Sequence, residues 1–123
     1  MIDPYKVQAD LIKAMAHPTR LHILDILARD EACVCHLTTI LRQRQPYVSQ
    51  HLMVLREAGL VQDRKDGVMV YYRLVDKQIP GWISATRDML RATGAELDIP
   101  EVPVGPLADC PCPRCEGAGS CAR

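Results

Sequence analysis

In the first half of the chain, apolar residues recur at the three- and four-residue spacing of α-helices. A first helix starts at Asp3-Pro4, because aspartate caps helices and proline suits the first helical position. A second helix follows Pro18, and residues 30–32 read as a polar turn. A third helix covers Cys33–Leu41, and a fourth begins at Gln45 and ends at a glycine suited to a left-handed cap. The inward faces of the second and fourth helices are expected to hold Leu21, Leu24, Ala28, Val48, Leu52 and Leu55.

The second half changes to residues that favour strands. Leu60–Asp63 and Val68–Leu74 predict two strands, the second rich in valine and tyrosine. The intervening residues 64–67 predict a hairpin turn with Asp-Gly at its tip. Residues 78–93 predict a last helix. A short helix, a three-residue turn, a second helix and a hairpin form the order of a winged helix-turn-helix, so the predicted fold class is α+β and mainly helical.

The chain divides by composition into a folding part and a tail. Residues 1–95 carry the periodic apolar positions, whereas residues 96–123 are rich in proline, glycine, cysteine and acid. We expect one domain over 1–95 and a flexible tail over 96–123, because 123 residues support one core. No secretory signal is present, and no apolar run approaches the ~18 residues of a membrane span. A soluble, cytoplasmic protein is therefore expected.

The net charge of zero hides a basic middle segment. Residues 42–73 contain six basic and three acidic side chains, whereas residues 96–123 contain five acidic and two basic ones. Such an excess of basic residues suits a surface that contacts DNA phosphates. The polar side chains at the start of the fourth helix could then face base edges. The candidate DNA-binding residues are Arg42, Arg44, Gln45, Tyr47, Ser49, Gln50, Arg64 and Lys65. A protein-interaction surface on the same fold is the alternative, because fold does not fix function.

Clustered cysteines in a cytosolic chain point to metal or redox chemistry. Cys33 and Cys35 stand at the predicted start of the third helix. On a regular helix two residues so spaced point about 200° apart, but at a helix terminus the backbone can bend and both can converge. The same terminus favours thiolates, which select thiophilic ions such as As(III), Sb(III), Cd(II) or Pb(II).

Several segments resemble the ArsR/SmtB family of metal-responsive repressors. They are Ala16–Leu21, Cys33-Val34-Cys35, the run Gln45–Val61 and the run Asp66–Leu74. The resemblance covers roughly residues 5–92. It implies a homodimer built on the first and last helices that binds a near-palindromic operator without metal and releases it on binding an inducer. It places Gln45, Tyr47, Ser49 and Gln50 in the major groove and Arg64 and Lys65 on the wing.

The cysteine pair forms only part of a site. Arsenite takes three thiolates, tetrahedral Zn or Cd takes four ligands, and Thr38 stands where arsenic-sensing relatives often have a third cysteine. The Pro-rich spacer from Gly94 to Cys110 can span up to ~50 Å, so the tail can reach the pair in either protomer. We therefore predict a composite metal site, with Cys33 and Cys35 completed from among Cys110, Cys112 and Cys115; Cys121 has no assigned role. The alternatives are Cys33 as an apolar core residue, a separate tail-bound Zn or cluster, and a disordered tail.

The residues and the resemblance together predict a DNA-binding repressor released by As(III), Sb(III), Cd(II) or Pb(II). The alternative is a thiol redox or reactive-sulfur sensor on the same fold, in which a disulfide replaces the metal. An adaptor without DNA binding is a further possibility. An enzyme using Cys35 and His36 is not expected, because adjacent helical residues point apart and no orienting acid is evident. The sequence leaves open the inducer, the tail ligands and the operator.

Overall fold

The computed structural model describes residues 1–103, 105–107 and 110. In those residues five helices and three strands follow one another, and the three strands form one antiparallel sheet of order β1-β3-β2. The elements are α1 (Pro4–Met15), α2 (Pro18–Leu27), β1 (Ala32–Cys33), α3 (Val34–Leu41), α4 (Gln45–Glu57), β2 (Val61–Asp66), β3 (Met69–Leu74) and α5 (Gln78–Ala92). This arrangement confirms the predicted winged helix-turn-helix.

Short polar side chains fix where the first helices begin. The Asp3 carboxylate accepts a hydrogen bond from the backbone N–H of Tyr5 at 3.0 Å, and Pro4 occupies the first turn. His17 caps α2 in the same way, because its Nδ1 accepts from the N–H of Thr19 at 3.0 Å. Both starts follow the pairing of a capping residue with a proline, which lacks an N–H that would otherwise be unsatisfied.

The core lies between α2 and the helices packed around it. Val48, Leu52 and Leu55 are fully buried, which confirms the predicted inward face of α4. In α2 the prediction for Ala28 is wrong, because Ala28 is the exposed C-cap residue. The buried residues of α2 are Ile23, Leu24, Ile26 and Leu27. This helix contacts α1, α3, α4, α5 and β3, so it buries a wider surface than one narrow stripe.

Strand β1 was not expected from the sequence. Residues 30–32 were predicted as a turn, but Ala32 pairs with Tyr72 and Cys33 pairs with Tyr71 in an antiparallel ladder. A two-residue strand is too short to show the alternation that identifies strands. Its presence depends on β3, which comes much later in the chain and supplies the backbone hydrogen-bonding partners.

The wing extends further along the chain than predicted. Arg64 and Lys65 lie within β2 opposite Tyr71 and Val70, so the expected turn over residues 64–67 is wrong. Asp66 pairs with Met69, which leaves Gly67-Val68 as the two-residue connection. Gly67 has φ +62° at the first central position, where a type II′ hairpin requires glycine.

The segment after α5 contains no helix or strand among its described residues. It returns to the globular part, because Val102 packs against the main core and Leu107 packs beside Tyr71. The division at residue 95 stays a prediction. Cys112, Cys115 and Cys121 lie outside the described residues. Within the described ranges, none of the helices has the length and apolar character needed to cross a membrane.

Candidate metal centre and nucleic-acid interface

Cys33 lies at the junction of β1 and α3. It is the N-cap of α3, with extended backbone angles of φ −79° and ψ 166°, and it is 1% exposed. Its Sγ accepts a hydrogen bond from the backbone N–H of His36 at 3.3 Å. An N-cap position lies outside the helical geometry that would hold the i and i+2 side chains apart. The His36 N–H thus gives this sulfur a donor from the first turn of α3.

Cys35 and Cys110 complete a cluster with Cys33, called here the cysteine cluster. The three Sγ atoms lie within 4.8 Å of one another, and those of Cys35 and Cys110 are 3.6 Å apart. That separation far exceeds the ~2.05 Å of a disulfide, so these two sulfurs are not bonded to each other. Cys110 is fully buried, and its backbone N–H donates to the carbonyl of Leu107 at 3.3 Å. The tail cysteine thus reaches the pair within one chain.

The cysteine cluster lies against the wing. Cys33, Cys110 and the buried Tyr71 form a packed group, joined by the half-buried Cys35 and Met69. Tyr71 is opposite Cys33 on one side of β3 and opposite Arg64 on the other. Three residues in register across a sheet therefore connect the sulfurs to the wing.

Two side-chain contacts hold the Arg64 guanidinium beside Tyr71 and the start of β1. Its guanidinium lies 4.8 Å from the centre of the Tyr71 ring, a cation–π arrangement. It also forms a bidentate ion pair with Glu31, in which Nε donates to Oε2 at 3.0 Å. The hydrogen bond to Glu31 raises the pKa of Arg64 above its ordinary value. Because Glu31 directly precedes β1, the ion pair joins the cysteine-bearing segment to the wing a second time.

The predicted reading residues lie together at the start of α4. Gln45, Tyr47 and Gln50 are exposed, and Ser49 is half-buried. Arg42 and Arg44 are exposed in the turn before them, where Arg42 adopts a left-handed conformation with φ 54°. Arg64 and Lys65 are exposed on β2 rather than at the hairpin tip. The sequence-predicted residues thus form two separate exposed groups, one on the helix-turn-helix and one on the wing.

A polar network under the reading face was not predicted. We call it the α2–α4 network, and its members are His17, Thr19, Arg20, Tyr47 and His51. The Arg20 Nε donates to His51 Nδ1 at 3.0 Å, and the Thr19 and Tyr47 hydroxyls are 3.1 Å apart. The His51 ring lies 4.3 Å from that of His17 and 4.7 Å from that of Tyr47, centre to centre. A sequence signal existed, because His51 follows Val48 by three residues and so lies beside the buried face of α4.

The surroundings of His51 disfavour its protonated form. Burial lowers the pKa of His51 below its ordinary value, and the neighbouring His17 and Arg20 lower it further. Because Nδ1 accepts a hydrogen bond from Arg20, the proton of the neutral ring is assigned to Nε2.

The helix-turn-helix, the wing and the exposed polar start of α4 define this protein as a winged helix-turn-helix protein. The sequence pattern of the family described as "Bacterial regulatory protein, arsR family" matches residues 17–63. The chain is 48% identical over 79 residues to the arsenical resistance operon repressor of Escherichia coli K12, covering 63% of this chain and 67% of that protein. It is 38% identical over 107 residues to the arsenic resistance transcriptional regulator ArsR1 of Pseudomonas putida KT2440, covering 80% and 84%.

Among solved structures, the solution structure of the homodimeric winged helix-turn-helix DNA-binding domain Mb0332 from Mycobacterium bovis is similar, with a TM-score of 0.65 and 26% identity. The similarity covers 77% of this chain and 90% of that one. The chain therefore belongs to the ArsR/SmtB family of bacterial transcriptional repressors, as the sequence motifs predicted. Its relatives are transcriptional regulators and not enzymes.

The lowered pKa of His51 predicts a pH-dependent stability. Below pH ~6.5 the unfolded chain protonates this histidine more readily than the folded chain does, so the free energy of unfolding falls as the pH decreases through that window. His51→Asn removes the titrating ring and keeps an acceptor near the Nδ1 position. The free energy of unfolding, measured with urea at several pH values between 5 and 7.5, is expected to change less steeply with pH in the variant than in the wild type. Equal slopes for the two proteins would contradict the assignment.

Proposed function

We propose that this protein is a repressor released from its operator by a thiophilic ion bound at the cysteine cluster, with As(III) or Sb(III) as the inducer. The observation that carries the proposal is the approach of the Cys33, Cys35 and Cys110 sulfurs to within 4.8 Å of one another beside the wing. Two relatives whose names refer to arsenic resistance support the same choice of ion.

The number of sulfurs bears on which ion binds. Three thiolates match the pyramidal coordination of As(III) and Sb(III). Tetrahedral Zn–S bonds of about 2.3 Å place sulfurs about 3.8 Å apart, so the cluster also suits three corners of a tetrahedral site. Tetrahedral Cd(II) would draw a fourth ligand, and we propose Cys112 or Cys115 for that role. The buried position of Cys33 and Cys110 excludes competing hard ligands such as water.

Ion binding is coupled to DNA through the sheet. Drawing the three sulfurs together displaces Cys33, which is both the N-cap of α3 and the ladder partner of Tyr71. On one side the displacement moves α3, which contacts α4. On the other side it moves Tyr71 and the Arg64 guanidinium above it. Couplings of this kind are typically about 1–3 kcal/mol, which corresponds to about 5- to 150-fold in affinity.

The free protein binds DNA through α4 and the wing. We propose that Gln45, Tyr47, Ser49 and Gln50 face base edges in the major groove. Arg42 and Arg44, which precede α4, contact the phosphate backbone, and the wing residues Arg64 and Lys65 do the same beside it. Double-stranded operator DNA is therefore the proposed partner, and the cytoplasm is the proposed location.

A second copy of the chain covers the exposed apolar faces of α1 and α5. These helices expose large apolar side chains: Tyr5, Val7, Leu11, Ile12, Trp82, Met89 and Leu90. An apolar surface on two helices marks a protein interface. A dimer also supplies two recognition helices for the half-sites of a near-palindromic operator. The homodimeric solution structure of the similar domain supports this assignment.

Substituting the cluster cysteines separates ion sensing from DNA binding. Cys33→Ser, Cys35→Ser and Cys110→Ser are each expected to bind operator DNA normally but to lose release by arsenite or antimonite. Fluorescence anisotropy with labelled operator measures both properties. Cys121→Ser is the matched control and should respond as the wild type does. Cys112→Ser and Cys115→Ser should both respond normally to arsenite, and the variant that lacks the fourth sulfur should respond weakly to Cd(II), because only the tetrahedral ion uses that sulfur.

Two results would contradict this assignment. A normal arsenite response of Cys110→Ser would remove the tail cysteine from the site. Release by peroxide but by none of the four ions, with the loss of two protons in intact-mass measurements, would replace ion binding by a disulfide between Cys35 and Cys110.

The proposed coupling through Tyr71 and the wing has its own test. Tyr71→Ala should still bind arsenite, but arsenite should release less DNA from this variant than from the wild type. Unchanged release would exclude the wing as the route.

Phosphate contacts and base contacts respond differently to salt. Arg44→Ala is expected to weaken binding to all DNA sequences and to reduce the slope of log affinity against log salt by about one unit. Gln50→Ala is expected to weaken operator binding by about 1–3 kcal/mol and leave the salt slope unchanged. Arg29→Ala, at the opposite end of α2 from Thr19, is the charge-matched control. A reduced salt slope for Gln50→Ala would contradict its assignment to base edges.

The proposed dimer interface depends on burying apolar side chains. Leu11→Glu on α1 should shift the protein towards monomer in sedimentation velocity and weaken operator binding, because a buried carboxylate has no partner there. Val75→Glu lies outside α1 and α5 and is the matched control, since Val75 is 45% exposed and Leu11 is 40% exposed. Unchanged sedimentation of Leu11→Glu would place the interface elsewhere.

A further inference from the structure

The motif His17-Pro18-Thr19-Arg20 lies at the start of α2, outside the predicted DNA-reading set, but its side chains contact the recognition helix. The Thr19 hydroxyl is 3.1 Å from the hydroxyl of Tyr47, and either group can be the donor. Tyr47 is exposed and lies in the first turn of α4, among the residues proposed to face bases. The contact restrains a side chain that would otherwise rotate in solvent.

Arg20 makes the second connection. Its Nε donates to His51 Nδ1 at 3.0 Å, and its Nη1 lies 3.4 Å from the Lys13 carbonyl and 3.3 Å from the Ala14 carbonyl. Those two carbonyls belong to the last turn of α1, where the intrahelical partners of a helix run out. One guanidinium therefore links the end of α1 to the middle of α4. Only a planar group with several donors in fixed directions can make these contacts together.

We propose that Thr19 and Arg20 are positioning residues for DNA reading. Thr19 fixes the direction of the Tyr47 hydroxyl, and Arg20 fixes α4 against α1 through His51. The inference rests on the proposed function, because it takes Tyr47 as a reading residue and α1 as a dimerising helix. In a dimer the spacing of two recognition helices then depends on Arg20, because α1 carries the interface and α4 carries the reading face.

A residue that positions α4 and a residue that contacts phosphate differ in the kind of DNA whose binding they affect. A residue that positions α4 contributes to operator binding and leaves non-specific binding unchanged, whereas a phosphate contact contributes to both. The ratio of operator affinity to scrambled-DNA affinity is therefore the readout. A loss of folding alone is recognised by thermal unfolding of each variant.

The experiment is a double-mutant cycle between Thr19→Val and Tyr47→Phe. Each substitution should lower the affinity ratio about 2- to 10-fold, and the double variant should be no worse than either, because both remove the same hydroxyl pair. Thr19→Ser retains the hydroxyl and should restore the ratio. Thr39→Val is the matched control, because the half-buried Thr39 hydroxyl donates to the Cys35 carbonyl of its own helix, outside α1 and α5. Additive effects of the two substitutions would overturn the role of Thr19.

Arg20→Lys tests the second connection with the charge retained. It should lower the operator-to-scrambled ratio and leave scrambled-DNA affinity unchanged, because lysine cannot reach the two carbonyls and His51 at once. Equal losses on both DNAs would make Arg20 a phosphate contact and overturn the inference. If Tyr47→Ala binds the operator as the wild type does, the reading role of Tyr47 fails, and the role of Thr19 fails with it. If Thr19→Val alone has no effect while Tyr47→Ala does, only the positioning role fails.

Discussion

The antiparallel pairing of β1 with β3 is the interaction on which the two functional regions depend. Two residues of β1 take their places from backbone bonds to Tyr71 and Tyr72. That pairing puts the Cys33 sulfur beside a buried tyrosine ring and puts the same ring beneath the wing guanidinium. A short strand thereby links the cysteine cluster to the wing through one ladder of backbone pairing.

The recognition helix is held from two sides by different forces. On its apolar side Val48, Leu52 and Leu55 are fully buried, and this packing resists separation of α4 from the core. On its polar side the α2–α4 network supplies directional contacts from Arg20 and Thr19. Helix α4 is therefore held to the rest of the domain by non-directional packing on one side and by directional hydrogen bonds on the other.

Much of the fold followed from local patterns. Asp3 and Pro4 start α1 through a contact two residues away, so this start is visible in the sequence, whereas for α2 the sequence marked Pro18 and the structure added the His17 cap. The buried stripe of α4 follows the helical repeat in the same way. The wing was misplaced because strand ends depend on which partner residues continue the ladder, and Arg64 and Lys65 find theirs in Tyr71 and Val70. Ala28 was misassigned because burial on α2 depends on how many neighbours surround it.

The sequence by itself predicted the five helices and the two wing strands, apart from their exact ends, the cysteine pair at a helix start and the polar residues at the start of α4, since each depends on neighbours within a few positions. Only the tertiary structure decided that β1 exists, that Cys110, one of the three tail cysteines expected from the sequence, lies beside Cys33 and Cys35 of the same chain, and that Arg20 connects α1 to α4 through His51. These contacts join residues far apart in the chain. Their formation depends on the packing and ladder register of the whole domain, which no local spacing of residues encodes.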